Sequence, residues 1–253
     1  MELNLDFKKL PNKKAVLDFI NSLKLVFFPK LCKCEDTQKA MVMAKANYLI
    51  GITNSPDKSK EFFSYIPKLR ELFAKDIEIT FDSDPSCNCR EEIISAYPGF
   101  IATFYHRIAH ILYQQDFKTE ARLISEEAHF LTGIDIHPGA QIGEYFFIDH
   151  GTGIVIGETT VIGEHVKMYQ GVTLGGISLA KGQRLKGQKR HPTIGNYVTI
   201  YSGASILGGD VAIGNNVVIG SNVFLTKSVP SNRKVVLSEP KLIVIKNKHM
   251  SNL

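Results

Sequence analysis

A six-residue repeat in the second half of this 253-residue chain constrains its fold more than any other feature. From residue 136 to residue 230, an aliphatic side chain opens row after row, glycine often follows it, and a small or β-branched residue usually stands fifth. An α-helix turns every ~3.6 residues, so side chains six apart drift around its surface, and the repeat excludes an amphipathic helix. The rows begin at Ile136, Ile142, Ile148, Ile156, Ile162, Met168, Ile194, Ile200, Ile213, Ile219 and Leu225.

Three such rows make one triangular coil of about 18 residues, whose interior is filled by the first side chain of each row. Stacked coils pair as short parallel strands about 4.8 Å apart. A sheet of hairpins would instead need turn signals roughly every 8–12 residues. The repeat therefore predicts a parallel β-helix, interrupted between Leu174 and Ile194 by an inserted loop.

Glycine divides the chain into two architectures. Residues 1–132 hold two of the 20 glycines, and residues 133–230 hold the other 18. We expect an α+β protein with a helical N-terminal domain at 1–132, a β-helix at 133–230 with an inserted loop at 177–193, and a C-terminal tail at 231–253.

Apolar residues at helical spacing predict helices over 13–28, 36–50, 59–75, 91–114 and 118–132. Gly51 is expected to cap the second helix. Pro67 predicts a kink or break in the third, and Pro98 interrupts the fourth. Residues 82–85 read as a turn.

The composition, 44% hydrophobic and 22% charged, is typical of a soluble globular protein. No apolar run approaches the ~18–20 residues that span a bilayer, and the N-terminus lacks the apolar core of a signal peptide. We therefore expect a cytoplasmic protein without membrane contact. The net charge of +5 is too mild to indicate nucleic acid, and the basic segment 181–191 has no aromatic residue among its charges.

The cysteines form two C-x-C pairs, Cys32/Cys34 and Cys87/Cys89. Their spacing is shorter than in zinc fingers, so free thiols are favoured, with a metal or redox site as the alternative. His106 and His110 stand at the i, i+4 spacing of zinc-binding helices, but their helix is rich in apolar residues, which favours core or interface histidines.

Several motifs together resemble the serine O-acetyltransferases of the hexapeptide-repeat acyltransferase superfamily. They span roughly residues 80–230 and include Asp84-Pro85 and the segment 99–113. The others are GIDIHPGAQIG at 133–143, FIDHGTGIVIGETTVIG at 147–163, GVTLGG at 171–176, KRHPTIG at 189–195 and SGASILGG at 202–209.

The resemblance implies a left-handed β-helix and homotrimers, which in some members pair into hexamers. It also implies that the helical domain at 1–132 serves oligomerisation and supplies part of the substrate site. It implies acetyl transfer from acetyl-CoA to L-serine for cysteine biosynthesis, with L-cysteine as feedback inhibitor and no metal. Cysteine synthase is an implied partner through the C-terminal tail. The tail ends in Leu253, where members that bind this enzyme usually end in isoleucine.

Acetylation of a hydroxyl needs a base, and a histidine with a carboxylate partner can supply one. His150 and Asp135 can form that pair, since they are 15 residues apart, about one coil. By resemblance, His150 is the base and Asp135 orients it. The alternative is that His150 is only a polar corner residue.

An amino-acid substrate carries two charges. Arg190 can bind its carboxylate, assisted by His191, and Asp149 and Asp84 can hold its ammonium and hydroxyl end. The resemblance supports all four. A solvated basic run is the alternative for Arg190, and a helix-capping turn is the alternative for Asp84.

The acyl donor's pantetheine arm carries amides that can pair with backbone groups at small residues. We expect such contacts at Gly175, Gly176, Gly203, Ala204 and Ser221. The basic loop suits CoA phosphates, and a backbone N–H near Gly175 is a candidate donor to the thioester oxyanion.

Three other functions use the same features. The first is acetyl transfer to another amino acid or a sugar. The second is a γ-type carbonic anhydrase, which needs three histidines around a metal. The third is a non-catalytic interaction module acting through the helical domain or the tail.

Overall fold

The structure, a computed structural model, describes residues 10–29, 37–178, 180, 182–239 and 243. Cys32, Cys34 and Leu253 lie outside these ranges. Seven helices within the described ranges precede the β-strands. They are α1 Lys13–Phe27, α2 Thr37–Gly51, α3 Pro56–Ser64, α4 Ile66–Ser83, α5 Arg90–Ala96, α6 Pro98–Gln114 and α7 Lys118–Thr132.

Prolines begin helices in this domain. Pro56 and Pro98 are the first residues of α3 and α6, and Pro67 lies in the first turn of α4. The first-turn N–H groups of a helix have no intrahelical partner, so proline loses nothing there. The break predicted at Pro67 is confirmed, so the helix predicted over 59–75 is not continuous. It is two helices that meet at Tyr65, and the break lies before Pro67.

Two local predictions are corrected. The turn predicted at 82–85 starts later, because α4 continues to Ser83 and only Asp84 is extended. Gly51 is not a C-cap beyond α2 but its last residue, packed on α1. A Cβ on Gly51 would lie 2.7 Å from the Ala15 carbonyl carbon, so glycine serves the close approach of two helices.

In the described part of the chain, fourteen short strands follow and form three parallel sheets. Sheet A holds β1 Asp135–Ile136, β4 Val155–Ile156, β7 Thr173–Gly175, β10 Ser205–Leu207 and β13 Phe224–Leu225. Sheet B holds β2 Gln141–Ile142, β5 Val161–Ile162, β8 Thr193–Ile194 and β11 Ala212–Ile213. Sheet C holds β3 Phe147–Asp149, β6 Lys167–Tyr169, β9 Thr199–Ile200, β12 Val218–Ile219 and β14 Lys234–Val235.

The chain visits sheets A, B and C in turn, and equivalent residues of successive coils pair, as Ile136 with Ile156 and Ile156 with Leu174. This confirms the predicted left-handed β-helix after a helical region. The β-helix also continues past Pro230, where we placed its end, because β14 pairs with β12. Most row-opening side chains fill its interior and are at most 3% exposed: Ile136, Ile156, Ile162, Met168, Leu174, Ile194, Ile200, Ile213 and Ile219.

The corners of the β-helix repeat from coil to coil. At the corner between sheets C and A, Gly133, Gly153, Gly171 and Gly203 all have positive φ, between 69° and 78°. At the corner between sheets B and C, three residues share φ of 54–58° and stack their rings, with centroids 4.3 and 4.6 Å apart: Tyr145, His165 and Tyr197.

A buried ion pair joins the helices to the first coil. The Arg107 guanidinium on α6 donates to both carboxylate oxygens of Asp76 on α4, at 2.6 and 2.8 Å. It also donates to the carbonyls of Ile142 and Gly143, and Asp76 accepts the N–H of Phe146. Both charged side chains are at most 4% exposed, so each depends on the other for compensation.

Among the residues described above, no helix is both long enough and apolar enough to cross a membrane.

Candidate active site

His150 stands at the corner between sheets C and A, directly after β3. Its φ of 55° is left-handed, which is uncommon outside glycine, and its side chain is 71% exposed. The imidazole Nε2 lies 3.6 Å from Oδ1 of Asp149, the last residue of β3. An exposed imidazole next to a carboxylate can exchange a proton with a bound molecule.

Asp84, at the C-terminal end of α4, brings a second carboxylate close to His150. It accepts the N–H and hydroxyl of Ser86 at 2.8 and 2.7 Å and the Tyr97 hydroxyl at 2.7 Å. Hydrogen bonds from Ser86 and Tyr97, with a smaller contribution from the charge of His150, hold the pKa of Asp84 below its usual value. The carboxylate is therefore ionised and fixed in place.

Tyr97 reaches this corner because the start of α6 lies very close to β3. A Cβ on Gly99 would lie 2.2 Å from the carbonyl oxygen of Ile148, so only glycine permits the approach. Burial, and then the hydrogen bond to Asp84, raise the pKa of the Tyr97 hydroxyl, which remains a donor at neutral pH. The sequence predicted no role for Tyr97 and Ser86, because their contacts with Asp84 depend on this packing.

Within one chain, Asp135 is not in contact with His150, the residue that it was predicted to orient. It opens β1 in sheet A and pairs with Val155 of the next coil. Within a single chain, neither a hydrogen bond nor an ion pair links Asp135 to His150 in the ranges covered, and the carboxylate in contact is that of Asp149. The pairing of His150 with Asp135 stays a prediction.

Arg190 and His191 lie where the inserted loop rejoins the coil, at the corner between sheets A and B. The Arg190 Nη2 donates to Oε2 of Glu158, whose Oε1 accepts the Tyr113 hydroxyl at 2.6 Å. The Arg190 Nη1 is buried without a hydrogen-bond partner. Burial raises the pKa of Glu158, but hydrogen bonds from Tyr113 and Arg190 outweigh it and bring the pKa to about 2.

His191 is buried against the previous coil. A Cβ on Gly157 would lie 2.1 Å from the imidazole Cδ2, so the glycine makes room for the ring. Burial, assisted by the charge of Arg190, lowers the pKa of His191 to about 4. The imidazole is therefore neutral at pH 7. The GET sequence at 157–159 was part of the quoted motif, but the roles of Glu158 and Thr159 were not predicted.

The predicted residues thus form two groups in one chain. Asp84, Asp149 and His150 share the corner between sheets C and A, whereas Arg190 and His191 share the corner between sheets A and B. No contact joins the two groups in the part of the chain that the structure covers.

The predicted acyl-donor contacts lie on both sides of sheet A. Gly203, Ala204 and Ser221 follow sheet C strands on coils beyond His150, whereas Gly175 and Gly176 are at the far end of β7. Ala204 is fully buried, and its carbonyl oxygen accepts the N–H of Thr173. Its own N–H donates to the Tyr201 carbonyl oxygen at 3.4 Å, so a ligand could accept from it only if this hydrogen bond opened. The side chain of Ser221 lies 3.2 Å from that of Ser202.

The histidines and cysteines that sequence spacing raised as possible metal ligands do not form a cluster in the described residues. His106 is buried, His110 contacts the Pro138 carbonyl oxygen at 2.8 Å, and Cys87 and Cys89 are free thiols. Over the described ranges, no group of three or more His, Cys, Asp or Glu side chains could hold a metal ion.

The buried histidines predict a loss of stability in acid. Burial, first of all, lowers the pKa values of His106, His110, His137 and His191. Unfolded histidines bind protons below about pH 6.5, whereas these stay neutral in the fold, so the unfolding free energy falls as pH drops from about 6.5 to 4. Urea unfolding across this range measures it, and an unchanged midpoint would contradict the assignment. Glu158 contributes little there, because its stabilising effect is lost only as pH falls from its unfolded pKa of about 4.3 to its folded pKa of about 2.

The chain is similar in structure and in sequence to known proteins of one family. No family model matches it. A serine acetyltransferase isoform 3 from Entamoeba histolytica, solved in complex with cysteine, is 34% identical, superposes with a TM-score of 0.79, and the alignment covers 98% of this chain and 89% of that one. The chain belongs to the serine acetyltransferase family. A Neisseria gonorrhoeae serine acetyltransferase, 27% identical with a TM-score of 0.67, aligns over 98% of this chain and 97% of its own.

Curated serine acetyltransferases are closer in sequence over a shorter region. The Bacillus subtilis protein is 51% identical over 133 residues, 53% of this chain and 58% of its own. A plasmid-encoded one from Synechococcus elongatus is 46% identical over 155 residues, 60% of this chain and 49% of its own. The chain thus spans about half the length of the curated relatives it matches.

Proposed function

We propose that this protein transfers the acetyl group of acetyl-CoA to the hydroxyl of L-serine, giving O-acetylserine for cysteine biosynthesis. The observation that carries this proposal is the pair of complementary corners. One holds an exposed imidazole beside two carboxylates, and the other holds a guanidinium with a free Nη1. Together they match the ammonium, hydroxyl and carboxylate of one amino acid. The Neisseria relative, solved in complex with serine, supports this substrate.

In the proposed reaction, His150 removes the proton of the serine hydroxyl as its oxygen attacks the thioester carbonyl. The tetrahedral intermediate collapses, the carbon–sulfur bond breaks, and His150 returns the proton to the thiolate of CoA. Asp135 orients the imidazole and stabilises its protonated form. Asp84 and Asp149 hold the ammonium, while Arg190 and His191 hold the carboxylate.

The separation of the two corners supports a site shared between subunits, in a homotrimer or a dimer of trimers. The acyl donor then lies between adjacent β-helices, near Gly203, Ala204 and Ser221 of one chain, with Gly175 and Gly176 near the thioester. The basic loop at 181–191 attracts its phosphates. No protein metal takes part in this scheme.

Two regulatory expectations accompany the proposal. L-cysteine has the same charged groups as L-serine, so it should occupy the same site and inhibit, and the Entamoeba relative solved with cysteine supports this. Cysteine synthase is a proposed partner through the tail that ends in Leu253. A cytoplasmic location stays a prediction.

The proposal predicts that free thiol is released from acetyl-CoA only when serine is present. The assay follows CoA thiol formation with serine, homoserine and an amino sugar as acceptors. We expect the highest kcat/KM for serine, since two acidic side chains and one guanidinium suit an amino acid. A higher kcat/KM for homoserine or the sugar would favour the alternative of a different acceptor on the same fold.

A further inference from the structure

Thr159 lies beside the point where the inserted loop rejoins the β-helix, on the preceding coil. It lies at the corner between sheets A and B, between β4 and β5, one coil away from residues 189–192. Its carbonyl oxygen accepts from the Lys189 Nζ at 2.6 Å. Its hydroxyl contacts the two residues that we assign to the substrate carboxylate. No step of the proposed reaction uses Thr159 itself.

The hydroxyl of Thr159 has three partners. Its oxygen accepts the backbone N–H of Arg190 at 2.9 Å and that of His191 at 3.1 Å. These two donors occupy both acceptor sites of a hydroxyl oxygen, which also carries one hydrogen. That hydrogen is left for the third neighbour, Nδ1 of His191, at 2.9 Å.

The ring nitrogen therefore faces two donors. The Thr159 hydroxyl is one, and the backbone N–H of Thr159, 3.1 Å from Nδ1, is the other. A nitrogen that accepts two hydrogens cannot carry its own, and a neutral imidazole holds one proton on one of its two nitrogens. The proton of His191 is then on Nε2.

We propose that Thr159 is a positioning residue that holds His191 in the Nε2–H tautomer and fixes the backbone of Arg190 beside it. His191 then offers a neutral hydrogen-bond donor that does not take the proton released by the hydroxyl. Resting on the proposed function, this separates the two histidines. His150 moves the proton, whereas His191 donates a hydrogen bond to the substrate carboxylate.

Thr160 provides a matched control on the next residue. It is fully buried, and its Oγ1 has no hydrogen-bond partner. Replacing an unpartnered buried hydroxyl by a methyl group leaves no donor or acceptor without its partner. Thr160→Val thus makes the same chemical change as Thr159→Val one position away, without touching His191.

The decisive measurement on the wild-type protein is nitrogen NMR of labelled histidine, with the His191 signals assigned by their loss in His191→Asn. We expect Nδ1 of His191 to be the nitrogen without a proton at pH 7. A proton on Nδ1 would overturn the proposal. This readout needs no substrate, so it stands even if the chain does not acetylate serine.

The variants test the role of the hydroxyl. Thr159→Val should lower kcat/KM for serine about 10–100-fold, mainly through KM, and raise the pKa of His191. Thr159→Ser should restore both to within about threefold, and Thr160→Val should match the wild type. A Thr159→Val protein with unchanged kcat/KM and an unchanged His191 titration would refute the role. If that variant does not fold, the NMR result and the Thr159→Ser rates still decide.

Discussion

His150→Ala should lower kcat/KM for serine by about three orders of magnitude, which lies within the roughly 10²–10⁴-fold range for general acid–base catalysis. The imidazole is exposed at its corner and makes no hydrogen bond that the fold requires, so the fold should persist. Steady-state thiol release, together with the oligomeric state on a sizing column, measures both. His150→Asn belongs in the same series, because asparagine tolerates the left-handed backbone and separates loss of the base from backbone strain.

His165 is the matched control for this experiment. It has the same φ of 55° but stands at the corner between sheets B and C, stacked between Tyr145 and Tyr197. His165→Ala removes a histidine of identical backbone geometry and should keep kcat/KM within about twofold, since it contacts no proposed substrate group. Retention of a tenth or more of the activity by His150→Ala would remove His150 as the base.

Arg107→Met should lower the unfolding free energy by about 3–5 kcal/mol, the cost of leaving one partner of a buried ion pair alone. Asp76 would keep one protein donor, the Phe146 N–H, and the Ile142 and Gly143 carbonyls would lose theirs. Chemical denaturation measures the change. The double variant Asp76→Leu/Arg107→Met should recover part of the loss, because no unpaired charge remains.

The ion pair between Lys75 and Glu144 is the comparison for that experiment. It joins the same helix, α4, to the same coil, but its side chains are 30% and 38% exposed. Lys75→Met should therefore lower the unfolding free energy much less than Arg107→Met does. Equal losses for Arg107→Met and Lys75→Met would mean that burial does not set the strength of the link between helices and β-helix.

The β-helix could be predicted from sequence because its period is local. Each row places one aliphatic residue inside, as at Ile156 and Ile200, and no knowledge of distant residues is needed to find it. The helix boundaries were less accurate, since Pro67 and Pro98 read as breaks although Pro67 lies in the first turn of α4 and Pro98 begins α6. Proline has both roles, and only the packing of α4 and α6 decides between them.

The candidate catalytic and substrate-binding residues could be predicted from the sequence where they lie in a recognisable motif, as His150 and Arg190 do. Their partners were missed where they come from distant segments. Tyr97 meets Asp84 from 13 residues away, and Tyr113 meets Glu158 from 45 residues away. Neither pair has a sequence pattern, because each depends on how α6 crosses the first two coils.

Because of where the loop is inserted, changes within the loop should be tolerated, whereas insertions within the repeating rows should not. The loop leaves at a corner after β7 and returns at β8, and both strands keep their partners in the neighbouring coils. Changes in loop length or sequence between these strands should therefore alter ligand selectivity with little effect on the melting temperature. Adding one residue inside a row would instead move every later aliphatic side chain out of the interior. Selection can thus adjust recognition in this loop while the scaffold beneath it stays fixed.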